Sequence, residues 1–180
     1  MAVHDPDWQA DLARCPAHPF LREQSIWAIA VYRFGRRNDA RRPGVRRAIG
    51  DRLYWVLYRI VETVTGITLP KSVTIGGGLR IWHFGNIVVH ESVRIGARCA
   101  LRHGVTIGNR VDGGGVPVLE DDVELGAYVQ VLGPVRVGRG ATVGAMTVVL
   151  DDVPAGAVAV GIPARIVSYG ANSTSAPTGT

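Results

Sequence analysis

The chain has 180 residues, 47% of them hydrophobic, enough to bury one core and too many for a disordered chain. No stretch reaches the roughly 18 uninterrupted apolar residues of a membrane span, and the net charge of +5 comes with no recognisable nucleic-acid-binding motif. Cys15 and Cys99 are the only cysteines and make no disulfide framework; together with acids where a signal peptide needs basic and apolar runs, they point to a cytoplasmic protein.

In chain order, the apolar run Ser25–Phe34 reads as a helix. Arg33, Arg36, Arg37, Arg41, Arg42, Arg46, Arg47 and Arg52 crowd the next segment. They are expected to form a solvated basic face; a contact to anionic lipid or an acidic partner, hence peripheral membrane contact, is the lesser alternative. Ile49, Leu53, Val56, Leu57, Ile60, Val61 and Val64 recur at helical spacing, which predicts an amphipathic helix within Pro43–Thr65. Gly66 closes an N-terminal helical segment, residues 1–66.

A period of six then takes over. From Ile95 an aliphatic residue recurs at Leu101, Ile107, Leu119, Leu125, Val131, Val137, Val143 and Val149, often followed by glycine (Gly96, Gly108, Gly126, Gly138, Gly144). Four residues after each aliphatic stands a small or β-branched residue: Cys99, Val105, Val111, Val123, Val129, Val135, Ala141, Thr147 and Val153. Six residues make a short strand and a corner, and three such units close a triangular coil whose neighbours stack by parallel pairing. The aliphatic residue is expected to fill the interior and the glycine to permit the corner. At eighteen residues per coil, about five coils fit between Leu69 and Arg165, within a β-helical domain at 67–168. Residues 169–180, rich in Gly, Ser and Thr, read as a disordered tail.

Two irregularities interrupt the period. Leu69, Ile75 and Ile81 lie in one phase and Val89 onward in another, so a two-residue bulge falls in WHFGNI. The stretch Asn109–Pro117, NRVDGGGVP, should project as a loop. The bulge carries His83. Acyl transfer from a thioester to a hydroxyl needs a base for the hydroxyl proton, which histidine supplies near neutral pH. Counting repeat units puts His103 one coil beyond His83 in the same column, about 4.8 Å along the stack. Asp121 would follow if the Asn109–Pro117 loop takes one repeat slot.

The segments LRIWHFGNIVVHESVRIG, LRHGVTIGNR, VQVLGPVRVGRGATVGAMTVVLDDVP and VGIPARIV resemble the serine O-acetyltransferases of the hexapeptide-repeat superfamily. The resemblance implies a left-handed β-helix, which the pattern alone does not give, and homotrimers with acetyl-CoA bound in grooves between subunits. It places the family's catalytic histidine on His83, with His103 as its column neighbour. On this footing the acceptor side is expected at Trp82, Phe84 and Glu91. CoA is expected along Gly108, Gly126, Ala127, Gly144 and Ala145, with its phosphates near Arg139 and Arg165. No metal is expected.

The departures from the family fall on the acceptor side. Thr68 stands where the family has the aspartate that pairs with its catalytic histidine, Trp82 where it has the aspartate just before that histidine, Gly115 and Val116 where an Arg–His pair contacts the serine, and Cys15 where an aspartate helps hold the serine ammonium. A buried amino acid needs its carboxylate and ammonium satisfied. The expected function is therefore acyl-CoA-dependent O-acyl transfer to the hydroxyl of a sugar or other small molecule. Genuine L-serine acetyl transfer is the alternative. Two readings from other classes are a zinc enzyme like the γ-carbonic anhydrases, using His83, His90 and His103, and a non-catalytic trimeric scaffold.

Overall fold

A computed structural model describes residues 5–169. Four helices lead the chain: α1 (Pro6–Ala13), α2 (Pro19–Arg22), α3 (Ser25–Asp39) and α4 (Val45–Thr65). Asp5 caps α1 by accepting from the Trp8 amide at 3.1 Å, and Pro6 follows as the first helical residue. Gly66 ends α4 in the left-handed region at φ 65°, its amide donating to the Glu62 carbonyl.

The α3 helix runs past its apolar stretch because α4 packs across it at two glycines. A Cβ on Gly35 would lie 2.6 Å from the Tyr54 ring, and one on Gly50 would lie 2.1 Å from the Asn38 side chain. Asn38 donates to the Arg47 carbonyl and to Asp51, and Lys71 bridges Asp39 and Asp51 at 2.7 Å each. Most of the predicted apolar series of α4 faces away from the core; of its seven residues, Val61 packs against the core and Leu57 is half-buried. Gly50, Tyr54, Tyr58 and Thr65 are the helix's buried residues, while Ile49, Leu53, Val56, Ile60 and Val64 point outward.

Arg33 likewise departs from the expected solvated face. It is buried against fully buried Asp11 (2.8 and 3.1 Å) and donates to the Ile75 and Gly76 carbonyls. Asp11 also accepts from the Gly78 and Leu79 amides, at 2.8 Å each, and the Tyr32 hydroxyl bridges Val73 and Ile75. These polar contacts seat the helices on the first coil of the solenoid.

The solenoid is a left-handed parallel β-helix of about five coils. One face stacks β1 (Ile67–Thr68), β4 (Ile87–Val89), β7 (Thr106–Gly108), β10 (Gln130–Leu132) and β13 (Val148–Val149). A second stacks β2 (Thr74–Ile75), β5 (Arg94–Ile95), β8 (Val118–Leu119) and β11 (Arg136–Val137). The third stacks β3 (Arg80–Ile81), β6 (Ala100–Leu101), β9 (Glu124–Leu125), β12 (Thr142–Val143) and β14 (Ala157–Val160). The strand β15 (Arg165–Tyr169) folds back antiparallel on β14 and covers that edge. Tyr169 thus belongs to a strand, and the rest of the expected tail, 170–180, lies outside the described residues.

The aliphatic series from Ile95 to Val149 is buried, at most 3% exposed, so the period of six is the period of the core. Cys99 fills an interior slot, where burial pushes its thiol up to about 11. Val111 is the exception at 67% exposed, because it has left the coil with the projecting loop. The corner glycines serve differently from expectation. Gly96, Gly126 and Gly138 do not adopt positive φ; a Cβ on each would lie 2.5 Å from a backbone nitrogen of the next coil. Close stacking, not backbone freedom, selects glycine there. Gly138→Ala is accordingly expected to destabilise the protein by about 1–3 kcal/mol, the usual cost of overpacking, in a urea titration. Unchanged stability would mean that adjacent coils separate locally without penalty.

Candidate active site

The two extra residues after Ile81 push a corner outward between β3 and β4, and that corner presents Trp82, His83 and Phe84, all exposed. Directly beneath, His103 follows β6. The His83 and His103 rings are 5.6 Å apart in a T-shaped contact, so the expected column forms. Its third member is Tyr128, whose ring lies 5.1 Å from His103, also T-shaped.

Asp121 is not in this column. It accepts from the Ala97 amide at 2.9 Å and pairs with Arg98 and Arg139 at another corner. The reason is the loop. Register partners Ile95 and Leu119 are 24 residues apart in sequence, whereas Leu119 and Val137 are 18 apart, so Asn109–Pro117 adds a unit outside the triangle instead of forming one side of it. Gly104 makes room for Tyr128, since a Cβ there would lie 2.3 Å from the Tyr128 ring. Among the described residues, His103 Nδ1 is buried without a hydrogen-bond partner.

Beside the column, on the β3–β6–β9–β12 face, lies a groove of about 390 Å³. Gly126, Ala127, Gly144 and Ala145 form its floor with Thr142, and Trp82 stands at its edge. Four of the expected CoA residues are thus brought together in one groove, which Trp82, the residue before His83, also lines. Small side chains in register on successive coils keep the floor low, so a slender chain has room to lie along it. Two cations approach the Trp82 ring, the Arg80 guanidinium at 4.6 Å and that of Arg102 at 5.9 Å from its centre. Arg80 is itself buried and bound to Glu23, with Cys15 alongside.

The remaining expected residues lie elsewhere in the protomer. Gly108 is in β7 beneath His90, on another face. Arg139 is tied to Glu120 and Asp121, and Arg165 is exposed on β15 and donates to the Ala164 carbonyl. Arg102, not either of these, is the basic side chain lining the groove. Glu91 is exposed in the turn after β4, next to His90, whose Nδ1 accepts from the Ser92 amide. Neither Tyr128 nor Arg102 was singled out by sequence. Their signal was a fixed offset behind the repeat's aliphatic residue, which only a known coil length turns into adjacency. Among the described residues, no group of three or more His, Cys, Asp or Glu is placed to hold a metal ion.

Residues 117–151 match the family described as bacterial transferase hexapeptide (six repeats). A serine acetyltransferase solved with cysteine is 31% identical, with a TM-score of 0.73, over 90% of this chain and 67% of that one. The chain belongs to the hexapeptide-repeat acyltransferases. A serine acetyltransferase solved with CoA is equally similar, 31% identical with a TM-score of 0.72 over 89% of this chain and 66% of that one. Among curated proteins, a 56-residue stretch is 44% identical to one from Escherichia coli K12 provisionally assigned as the colanic acid biosynthesis acetyltransferase WcaB. That stretch covers 31% of this chain and about a third (35%) of the length of that relative. The coils, a corner that carries His83 above His103, and a groove floored with small residues are all present in this hexapeptide-repeat acyltransferase. Thr68 lies in β1 and Cys15 beside Arg80, at two positions where the resemblance calls for carboxylates.

Proposed function

We propose that this hexapeptide-repeat acyltransferase is a cytoplasmic homotrimer that moves an acetyl group from acetyl-CoA to a hydroxyl of a saccharide or similar small molecule, with His83 as general base. The observation that carries this reading is the His83–His103 pair, each histidine following in the chain a residue (Trp82, Arg102) that lines a groove floored by Gly126, Ala127, Gly144 and Ala145. In the reaction, an acceptor hydroxyl oxygen attacks the thioester carbonyl while the His83 imidazole takes its proton. The tetrahedral intermediate then collapses, the carbon–sulfur bond breaks, and the imidazolium returns the proton to the departing CoA sulfur. The pantetheine arm would lie along the small-residue floor, with its thioester at the histidine corner. Trp82 and Phe84, about half exposed, would offer stacking surface to a sugar ring.

A trimer suits the incompleteness of the single-chain site. His83 and Phe84 stand exposed on one corner and Glu91, Arg139 and Arg165 on others, so a neighbouring subunit is the means by which they would meet. The saccharide preference rests on two supports. The residues that would answer a serine carboxylate and ammonium are replaced by Cys15, Gly115 and Val116, and the aspartates that the resemblance puts before the base by Trp82 and Thr68. One curated relative is also assigned to the biosynthesis of colanic acid, a polysaccharide. The second reading, L-serine acetyl transfer, is favoured by the serine acetyltransferase structures that the chain resembles.

A CoA-release assay with acetyl-CoA discriminates between them, run against L-serine, nucleotide sugars and simple glycosides. Turnover is expected with a sugar hydroxyl and at most weakly with L-serine. Efficient turnover of L-serine alone would establish the second reading. Failure of the protein to bind CoA in calorimetry would return the scaffold reading.

A further inference from the structure

The helix α4 leaves a whole face uncovered. Val45, Ile49, Leu53, Val56, Ile60 and Val64 follow one another at steps of four and three residues and form one stripe along the 21-residue helix. Each is between 47% and 77% exposed, so these side chains do not belong to the core that α4 builds with Tyr54 and Tyr58. At 1.5 Å per residue the stripe is about 30 Å long.

Its borders are basic. Arg52 and Arg59 run along one edge of the stripe, Arg46 begins the other, and Arg41 and Arg42 sit in the turn before the helix, all exposed. The helix's two carboxylates do not answer them freely. Asp51 is engaged by Lys71 and Asn38, and Glu62 by the Tyr58 hydroxyl and Arg59. No helix among the described residues is long and apolar enough to cross a membrane, and α4, with arginines beside its stripe, has the character of a helix that lies in an interface.

Charge decides what fits this face. A second copy packed stripe to stripe about a two-fold axis would bring arginine rims together, with no free carboxylate on the face to separate them. An anionic bilayer meets both halves of the pattern: the stripe enters the headgroup–acyl boundary while the guanidinium groups reach lipid phosphates. We propose that α4 is an interfacial anchor that holds the protein on an anionic lipid surface through the Val45–Val64 stripe and Arg46, Arg52 and Arg59.

The test is cosedimentation of the full chain with vesicles of phosphatidylcholine alone and of phosphatidylcholine and phosphatidylglycerol in equal amounts. Binding is expected only to the mixed vesicles and should weaken as salt is raised. Each arginine near such a surface contributes roughly five-fold in affinity, so Arg46→Gln/Arg52→Gln/Arg59→Gln should bind about a hundred-fold more weakly. Ile49→Ser/Leu53→Ser/Val56→Ser should abolish binding while its circular dichroism and CoA binding match the parent, because these side chains lie outside the core. Absence of binding to mixed vesicles, equal binding to pure phosphatidylcholine, or parental binding by both variants would overturn the proposal. So would a stripe variant that dissociates a larger assembly while the parent ignores vesicles, since a second copy would then be what covers the face.

Discussion

His83→Ala is expected to slow acetyl transfer by about 10²–10⁴-fold, the usual contribution of a positioned general base. CoA affinity should hardly change. The groove floor is made by Gly126, Ala127, Gly144 and Ala145, and His83 lies outside it, at the corner where an acceptor hydroxyl would arrive. His103→Ala gives the control. His103 touches both His83 and Tyr128, so its removal loosens the column and should lower turnover less than loss of His83. The two variants separate in single-turnover and CoA-binding measurements. A large loss at His103 with little loss at His83 would assign the base to His103, and full activity in both variants would remove the column from the chemistry.

The largest structural effect is expected at Asp11. Its carboxylate accepts two bonds from Arg33 and two from the Gly78 and Leu79 amides, all in the buried junction between the helices and the first coil. Asp11→Ala leaves the Arg33 charge buried with only the Ile75 and Gly76 carbonyls and a 3.4 Å contact to Asp7 for company. Breaking one side of such a pair costs about 3–5 kcal/mol, a large share of the ~5–15 kcal/mol that holds an ordinary domain together. A urea titration followed by far-ultraviolet circular dichroism should show the helical signal lost at lower denaturant than in the parent. A change under about 1 kcal/mol would mean that water reaches Arg33 in the variant and replaces the carboxylate.

What could be read from the sequence was whatever repeats. A six-residue period with an aliphatic residue at its head determines which side chains point inward, and those positions are the core. The bulge showed as a break in phase, which is why His83 and His103 could be stacked from arithmetic alone. Tyr128 was missed because the column count depended on whether Asn109–Pro117 forms one side of a coil, and spacing alone does not distinguish an added unit from a distorted one. In the helices, periodicity identified α4 as amphipathic but not what covers its apolar stripe, since a hydrophobic face looks the same whatever covers it. The aromatic and glycine contacts that seat α4 on α3 fall on its other side. Arg33 was lost in a run of arginines, because sequence shows a charge but not the buried carboxylate, 22 residues earlier, that neutralises it.

The Asn109–Pro117 excursion has a consequence for how this protein tolerates change. It leaves the coil after Ile107 and returns at Leu119 having consumed one whole period, so β7 and β8 keep the alignment they would have without it. A segment of that length is silent to the ladders above and below. Natural variation or engineering could therefore shorten, lengthen or rewrite this loop and leave the His83–His103–Tyr128 stack where it is. The part of the molecule most open to rewriting and the part least open to it are separated by a single strand.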